Sequence, residues 1–218
     1  MAPEASTAKL ELSAPEVRVL GCLIEKELST PDYYPMTVNA LTAACNQKTN
    51  REPVVDYSES DVEDALEGLQ RKRLVGHASS AYGRATKFRH ALVEVMHLKR
   101  PHLAILASLM VRGPETVGEV RGRTTRMHEF ETLEEVERVL GELGDWTPPL
   151  VAHLPRRPGQ KEARYAHLLA GSVDLDTEIA PVTGTDQRLS ELEAEVEALK
   201  GQMDDLRAAF DIFREQFE

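Results

Sequence analysis

The chain has 218 residues, of which 41% are hydrophobic and 5% aromatic, and it carries a formal net charge of −11. That length suits two small domains with aliphatic cores plus an extension. Its two cysteines, Cys22 and Cys45, make neither a metal-type spacing nor a disulfide framework, and no apolar run approaches the ~20 residues of a membrane span. With no apolar core in residues 1–12, a signal peptide is not expected either, and the reading is a soluble cytoplasmic protein.

The first helix is predicted to open at Ser13-Ala-Pro-Glu16, a capping box, and to run through Val17, Leu20, Ile24 and Leu28 to Thr30-Pro31. Pro35 biases Tyr34 toward an extended backbone. Thr37 then caps a short helix through Val38, Leu41 and Cys45, where Cys45 shares the apolar face and reads as a core residue. A polar connection, Asn46 to Asp56, leads to a third helix from Ser58 to Lys72. Residues 74–90 form a hairpin, and Ala91 to Leu98 a short linking helix.

The second half repeats this order. Leu106, Leu109 and Met110 mark its first helix, ended by Gly113-Pro114. Thr116-Val-Gly-Glu119 opens the second helix, Thr132-Leu-Glu-Glu135 caps the third, and Pro158-Gly159 turns the hairpin. The repeat is visible in the residues themselves: Leu74-Val-Gly-His77, a turn and Lys87-Phe-Arg-His90 recur as Leu150-Val-Ala-His153, a turn and Arg164-Tyr-Ala-His167. Phe88 and Tyr165 are expected to face the core. His77 with His90, and His153 with His167, are placed to approach one another within each hairpin. Helix, strand, wing, strand is the back half of a winged helix. The expected fold is therefore mainly α with small β-hairpins: winged-helix domains at 12–98 and 99–170, a linker at 171–185, and a coiled coil at 186–218.

The coiled coil is read from Leu189, Leu192, Val196, Leu199, Met203, Leu206, Phe210, Phe213 and Phe217, which alternate steps of three and four. Attractive flanking pairs, Arg188 with Glu193 and Glu195 with Lys200, favour a parallel homodimer, though a helix folded back on the domains has the same periodicity. The acidity is concentrated here: residues 10–98 carry −3, residues 99–170 carry +1, and residues 171–218 carry −9. The near-neutral repeats leave a nucleic-acid partner open.

Longer strings resemble a known family. Leu20-Gly-Cys-Leu-Ile-Glu-Lys-Glu27, Thr30-Pro-Asp-Tyr-Tyr-Pro35, Ala44-Cys-Asn-Gln-Lys-Thr-Asn-Arg51 and Leu154-Pro-Arg-Arg-Pro-Gly-Gln-Lys-Glu-Ala-Arg-Tyr-Ala-His167 look like the YceH-like family of bacterial proteins. That resemblance covers roughly residues 12–170. It implies tandem winged helices in a bacterial cytoplasm and supplies no activity.

A winged helix usually sets its third helix in the major groove. Here the third helices are acidic, with Glu63, Asp64 and Glu67 in the first and Glu134 and Glu137 in the second. Carboxylates repel phosphates and suit a basic protein partner instead. The cations lie on the turns and wings: Lys48, Arg51, Arg84 and Lys87 in the first repeat, Arg121, Arg123, Arg126, Arg156, Arg157 and Lys161 in the second. Two functions follow. One is a regulator-like helix-turn-helix protein that touches DNA through these basic rims. The other is an adaptor that binds protein through its acidic helices. No phosphate loop, nucleophile motif or ligand cluster stands out, so neither an enzyme nor a metal or other cofactor is expected.

Overall fold

A computed structural model describes residues 11–78, 86–156 and 162–171, which belong to one compact unit. The chain runs α1 (Ala14–Ser29), α2 (Val38–Cys45), α3 (Glu59–Arg71), β1 (Val75–Ala78), β2 (Lys87–His90) and α4 (Leu92–Met96). It continues as α5 (Arg100–Arg112), α6 (Val117–Thr124), α7 (Leu133–Gly144), β3 (Val151–Leu154) and β4 (Arg164–His167). The described residues are thus mainly helical, with two small antiparallel hairpins. The linker beyond Gly171 and the heptad seam from Leu189 to Phe217 lie outside them, as do Arg84, Arg157 and Lys161.

Local chemistry sets the helix starts. The Ser13 amide donates to the Glu16 carboxylate at 2.7 Å, and the Glu16 amide returns the bond to the Ser13 hydroxyl at 3.4 Å. Thr116 and Glu119 make the same box for α6, with bonds of 2.9 and 3.2 Å. Each box satisfies amides that have no partner inside the helix. At α7, Thr132 accepts the Glu135 amide at 3.2 Å, and the Glu135 carboxylate takes the Glu131 amide at 3.0 Å, one residue before the cap.

The two halves share their bridging bonds. A residue between the first and second helix of each half bridges to the returning strand: Met36 and Phe88 exchange bonds of 3.1 and 2.7 Å, and Glu115 and Tyr165 exchange bonds of 3.0 and 2.8 Å. In both halves the residue entering the hairpin bonds back to the third helix, Leu74 to Leu69 at 2.9 Å and Leu150 to Leu143, two residues further back, at 3.0 Å.

Register corrects one expectation. His77 lies opposite Phe88, not His90, and His153 lies opposite Tyr165, not His167. Cross-strand neighbours on one face meet, so the rings that pack are His77 on Phe88 at 5.1 Å and His153 on Tyr165 at 5.0 Å. Phe88 is buried as expected, whereas Tyr165 is only partly covered against the core.

The halves share one hydrophobic core, and its axis is α1 packed on α5. Residues 102–111 of α5 are all buried, as are residues 16–25 of α1. A helix covered on every side must be apolar all round or have its polar groups paired. Gly21 lets the two helices touch: a β-carbon there would lie 2.9 Å from the Met110 β-carbon and 2.9 Å from Val111 Cγ1. Gly21→Val should therefore lower stability by about 1–3 kcal/mol through overpacking, read as a shift in the urea midpoint. An unchanged midpoint would mean that the crossing relaxes without cost.

Candidate functional site: a cationic cleft between the repeats

The helix α2 ends without a glycine cap, and two buried arginines take its last carbonyls. Arg18 donates to Cys45 O at 3.4 Å and to Pro53 O at 2.6 Å, and Arg51 donates to Ala44 O at 3.0 Å. Guanidinium groups suit this position because they meet the negative end of the helix dipole. Arg51 also grips Glu25 of α1 with two bonds, of 3.2 and 2.6 Å. The loop that follows is tied to the other half through the Glu52 amide, which donates to Val111 O at 2.9 Å. From the second half, Arg100 donates to Leu28 O at 3.0 Å and to Met127 O at 2.8 Å. These bonds fix the end of α1, the loop after α2 and the end of α6 around one opening.

That opening is a cleft of about 770 Å³. Glu25 and the Arg51 beneath it form a neutral pair at its wall. Lys26, Lys48, Arg112, Arg123 and Arg126 line it from both repeats. Arg123 is held by the fully buried Glu115 at 2.8 Å and by Glu119 at 3.2 Å. Arg112 reaches Glu115 only through a hydroxyl: it donates to Ser108 Oγ at 3.0 Å, which donates to Glu115 at 2.8 Å. Burial lowers the Arg112 pKa from its ordinary value, while the neighbouring Glu115 and Glu25 charges pull the other way. Lys48 and Arg126 are exposed and make no ion pair among the described residues. Counting the lining residues and their direct partners, six cations face three carboxylates.

The structure sorts the sequence candidates. Lys48, Arg123 and Arg126 converge on the cleft. Arg51 does not sit on a rim; its side chain is 0% exposed and serves Glu25 and α2, because a cation beside an uncapped helix end and a buried carboxylate is drawn inward. Arg121 is exposed but bonded to the carbonyls of Phe130 at 3.2 Å and Glu131 at 2.7 Å. Lys87 begins β2 half-buried, and Arg156 is exposed beyond β3. Glu63, Asp64 and Glu67 lie exposed along α3, and Glu134 and Glu137 along α7. None of the five lines the cleft. Sequence reasoning missed Lys26 and Arg112, which read as ordinary last-turn cations of their helices. Among the described residues no three His, Cys, Asp or Glu side chains are grouped to hold a metal ion, and no helix is long and apolar enough to cross a membrane.

The class defined by these observations is a mainly helical protein of two like halves fused through one core. The chain belongs to the family described as "Protein of unknown function, DUF480", whose model matches residues 12–160. It is 51% identical to a UPF0502 protein of Geobacter sulfurreducens over 212 residues, covering 93% of this chain and 96% of the relative. It is 51% identical to one from Geotalea uraniireducens over 219 residues, covering 96% and 100%. A UPF0502 protein of Azoarcus sp. is 47% identical over 222 residues, covering 99% and 98%, so the aligned stretch takes in the acidic tail.

Removing one member of the buried pair should be costly. Arg51→Ala takes both short bonds from Glu25 and leaves it Lys26 at 3.5 Å, and should destabilise by about 3 kcal/mol in urea unfolding. Burial alone would raise the Glu25 carboxyl, but the bonds and charge of Arg51 outweigh it and hold it below its ordinary 4.5. A depressed carboxylate contributes stability above its unfolded pKa and loses it as pH falls. The gap between wild type and Arg51→Ala should therefore be full at neutral pH and narrow below about pH 4.5. A gap that does not change with pH would assign the loss to the α2 carbonyls alone.

Proposed function

We propose that this chain is a non-enzymatic tandem winged-helix protein, regulator-like, that contacts nucleic acid through the cations of its turns and wings. The winged-helix reading is supported by the twofold order of three helices and a hairpin, with a bridging residue, Met36 or Glu115, beside each returning strand. The observation that carries the function is the gathering of exposed Lys48 and Arg126, without an ion pair among the described residues, from opposite repeats at one opening. Phosphate contacts need such cations and carry no sequence information. The acidic α3 and α7 stay out of the groove in this arrangement.

The test is fluorescence anisotropy of a labelled duplex at two salt concentrations. Lys48→Glu with Arg126→Glu should weaken binding at least tenfold, and Arg156→Glu should weaken it too. Glu63→Gln with Glu67→Gln should leave it unchanged or tighten it. Affinity should fall steeply with salt as counterions are released. No binding to any duplex at low salt would remove this reading.

A second reading, a protein adaptor, is favoured by Glu63, Asp64, Glu134 and Glu137, all exposed and without an ion pair among the described residues. Under it the Glu63→Gln/Glu67→Gln change abolishes capture of a basic partner instead.

The heptad seam from Leu189 to Phe217 supports a homodimer in either case. Leu199→Asp with Leu206→Asp should convert it to monomers in light scattering, since charge is costly in a desolvated seam. A wild-type protein that is monomeric at tens of micromolar would overturn the dimer.

A further inference from the structure

The inner part of the cleft has a different character from its rim. The rim cations Lys48 and Arg126 are exposed, whereas Arg112 is half-buried and, among the described residues, its one hydrogen bond to a side chain goes to the neutral Ser108 hydroxyl. A guanidinium offers five donors in a fixed fork. Most of this fork is uncommitted among the described residues. Beside it, Lys26 is 3.5 Å from Glu25, a carboxylate already gripped by Arg51. The neutral part of the lining adds polar reach. Gln47 spends its carbonyl on Lys26 at 3.5 Å and keeps its amide donors, and the side chains of Thr49 and Asn50 make no hydrogen bond among the described residues.

Helix dipoles account for part of this charge. Lys26, Arg112 and Arg123 sit in the last turns of α1, α5 and α6. A helix end carries roughly half an elementary charge, and Glu25, Glu115 and Glu119 offset more, so these ends are close to neutral. The positive excess comes from Lys48 and Arg126, which lie outside the helices.

We propose that the inner cleft is a site for a small molecule that presents two or more clustered phosphates. Its size of about 770 Å³ falls in the range of ligand pockets. The lining contains no aromatic residue, so it offers a base no aromatic face, and its cations suit the phosphates themselves. Arg112 supplies the fork, Lys26 and Lys48 supply point charges, and Arg126 closes from the second repeat. Because the ligand would bridge both repeats, binding stabilises the fold. This site goes beyond the duplex reading and does not need it.

The experiment is calorimetric titration of the full chain with pyrophosphate at low and moderate salt, paired with a thermal melt. Saturable one-to-one binding with a raised Tm is expected. Arg112→Gln should weaken it at least tenfold. Arg156 does not line the cleft, and Arg156→Glu should leave pyrophosphate affinity unchanged. If Arg112→Gln fails to fold, Lys48→Ala with Arg126→Ala, both on the surface, should still weaken pyrophosphate at least fivefold. A single-stranded oligonucleotide with and without a 5′-phosphate separates the sources: tighter binding of the phosphorylated strand than of pyrophosphate would overturn a small-molecule ligand in favour of a strand end. No saturable heat with pyrophosphate, or an affinity indifferent to Arg112 and to the surface pair, would overturn the site.

Discussion

Everything described depends on the contact of α1 with α5. Those helices belong to different halves of the chain, and each is covered almost all round. Their approach is as close as it is because Gly21 has no β-carbon to meet Met110 and Val111. Once they touch, the halves stop behaving as beads on a string. The core runs from Leu12 and Leu20 through Ile105 and Leu109 to Val139 and Leu150 without a break. A cleft between repeats is a consequence, since two convex halves joined along one line leave an opening beside it.

Burying polar groups in such a junction carries a cost unless each is paired. The pairing here has a consistent form. Arg18 and Arg51 satisfy carbonyls at the end of α2, and Arg100 satisfies one at the end of α1 while reaching the loop after α6. Glu115 is wholly buried and shared by Arg123 directly and Arg112 through Ser108. Helix C-termini thus gather cations, and because several helices end near one another the cations gather too. A positive cleft emerges in a chain whose net charge is −11. Net charge describes the whole surface, and binding depends on its distribution.

The acidic third helices follow the opposite logic. Asp61 completes a capping box with Ser58, and Glu134 lies in the first turn of α7, so part of the acidity stabilises helix N-termini. Glu63 and Glu67 lie further along α3, and Glu67 is offset by Arg71 at 3.6 Å one turn on. Glu63 has no such partner among the described residues. It is this exposed remainder that separates α3 from a helix suited to lie against phosphates.

The amino-acid sequence by itself determined the element order, the twofold repeat and most helix starts. These rest on interactions between residues three or four apart, such as Ser13 with Glu16 and Thr116 with Glu119, and short-range partners are written next to one another. It also placed Lys48, Arg123 and Arg126 among the functional candidates. Only the tertiary structure decided that Arg51 is a structural residue, that His77 and His153 pack on Phe88 and Tyr165, and that Lys26 and Arg112 join the candidates at the cleft. Arg51 meets Glu25 across 26 positions of sequence, and the cleft joins residue 26 to residue 126. Such partners are chosen by how α1 crosses α5 and by strand register, and no local pattern in the chain encodes either.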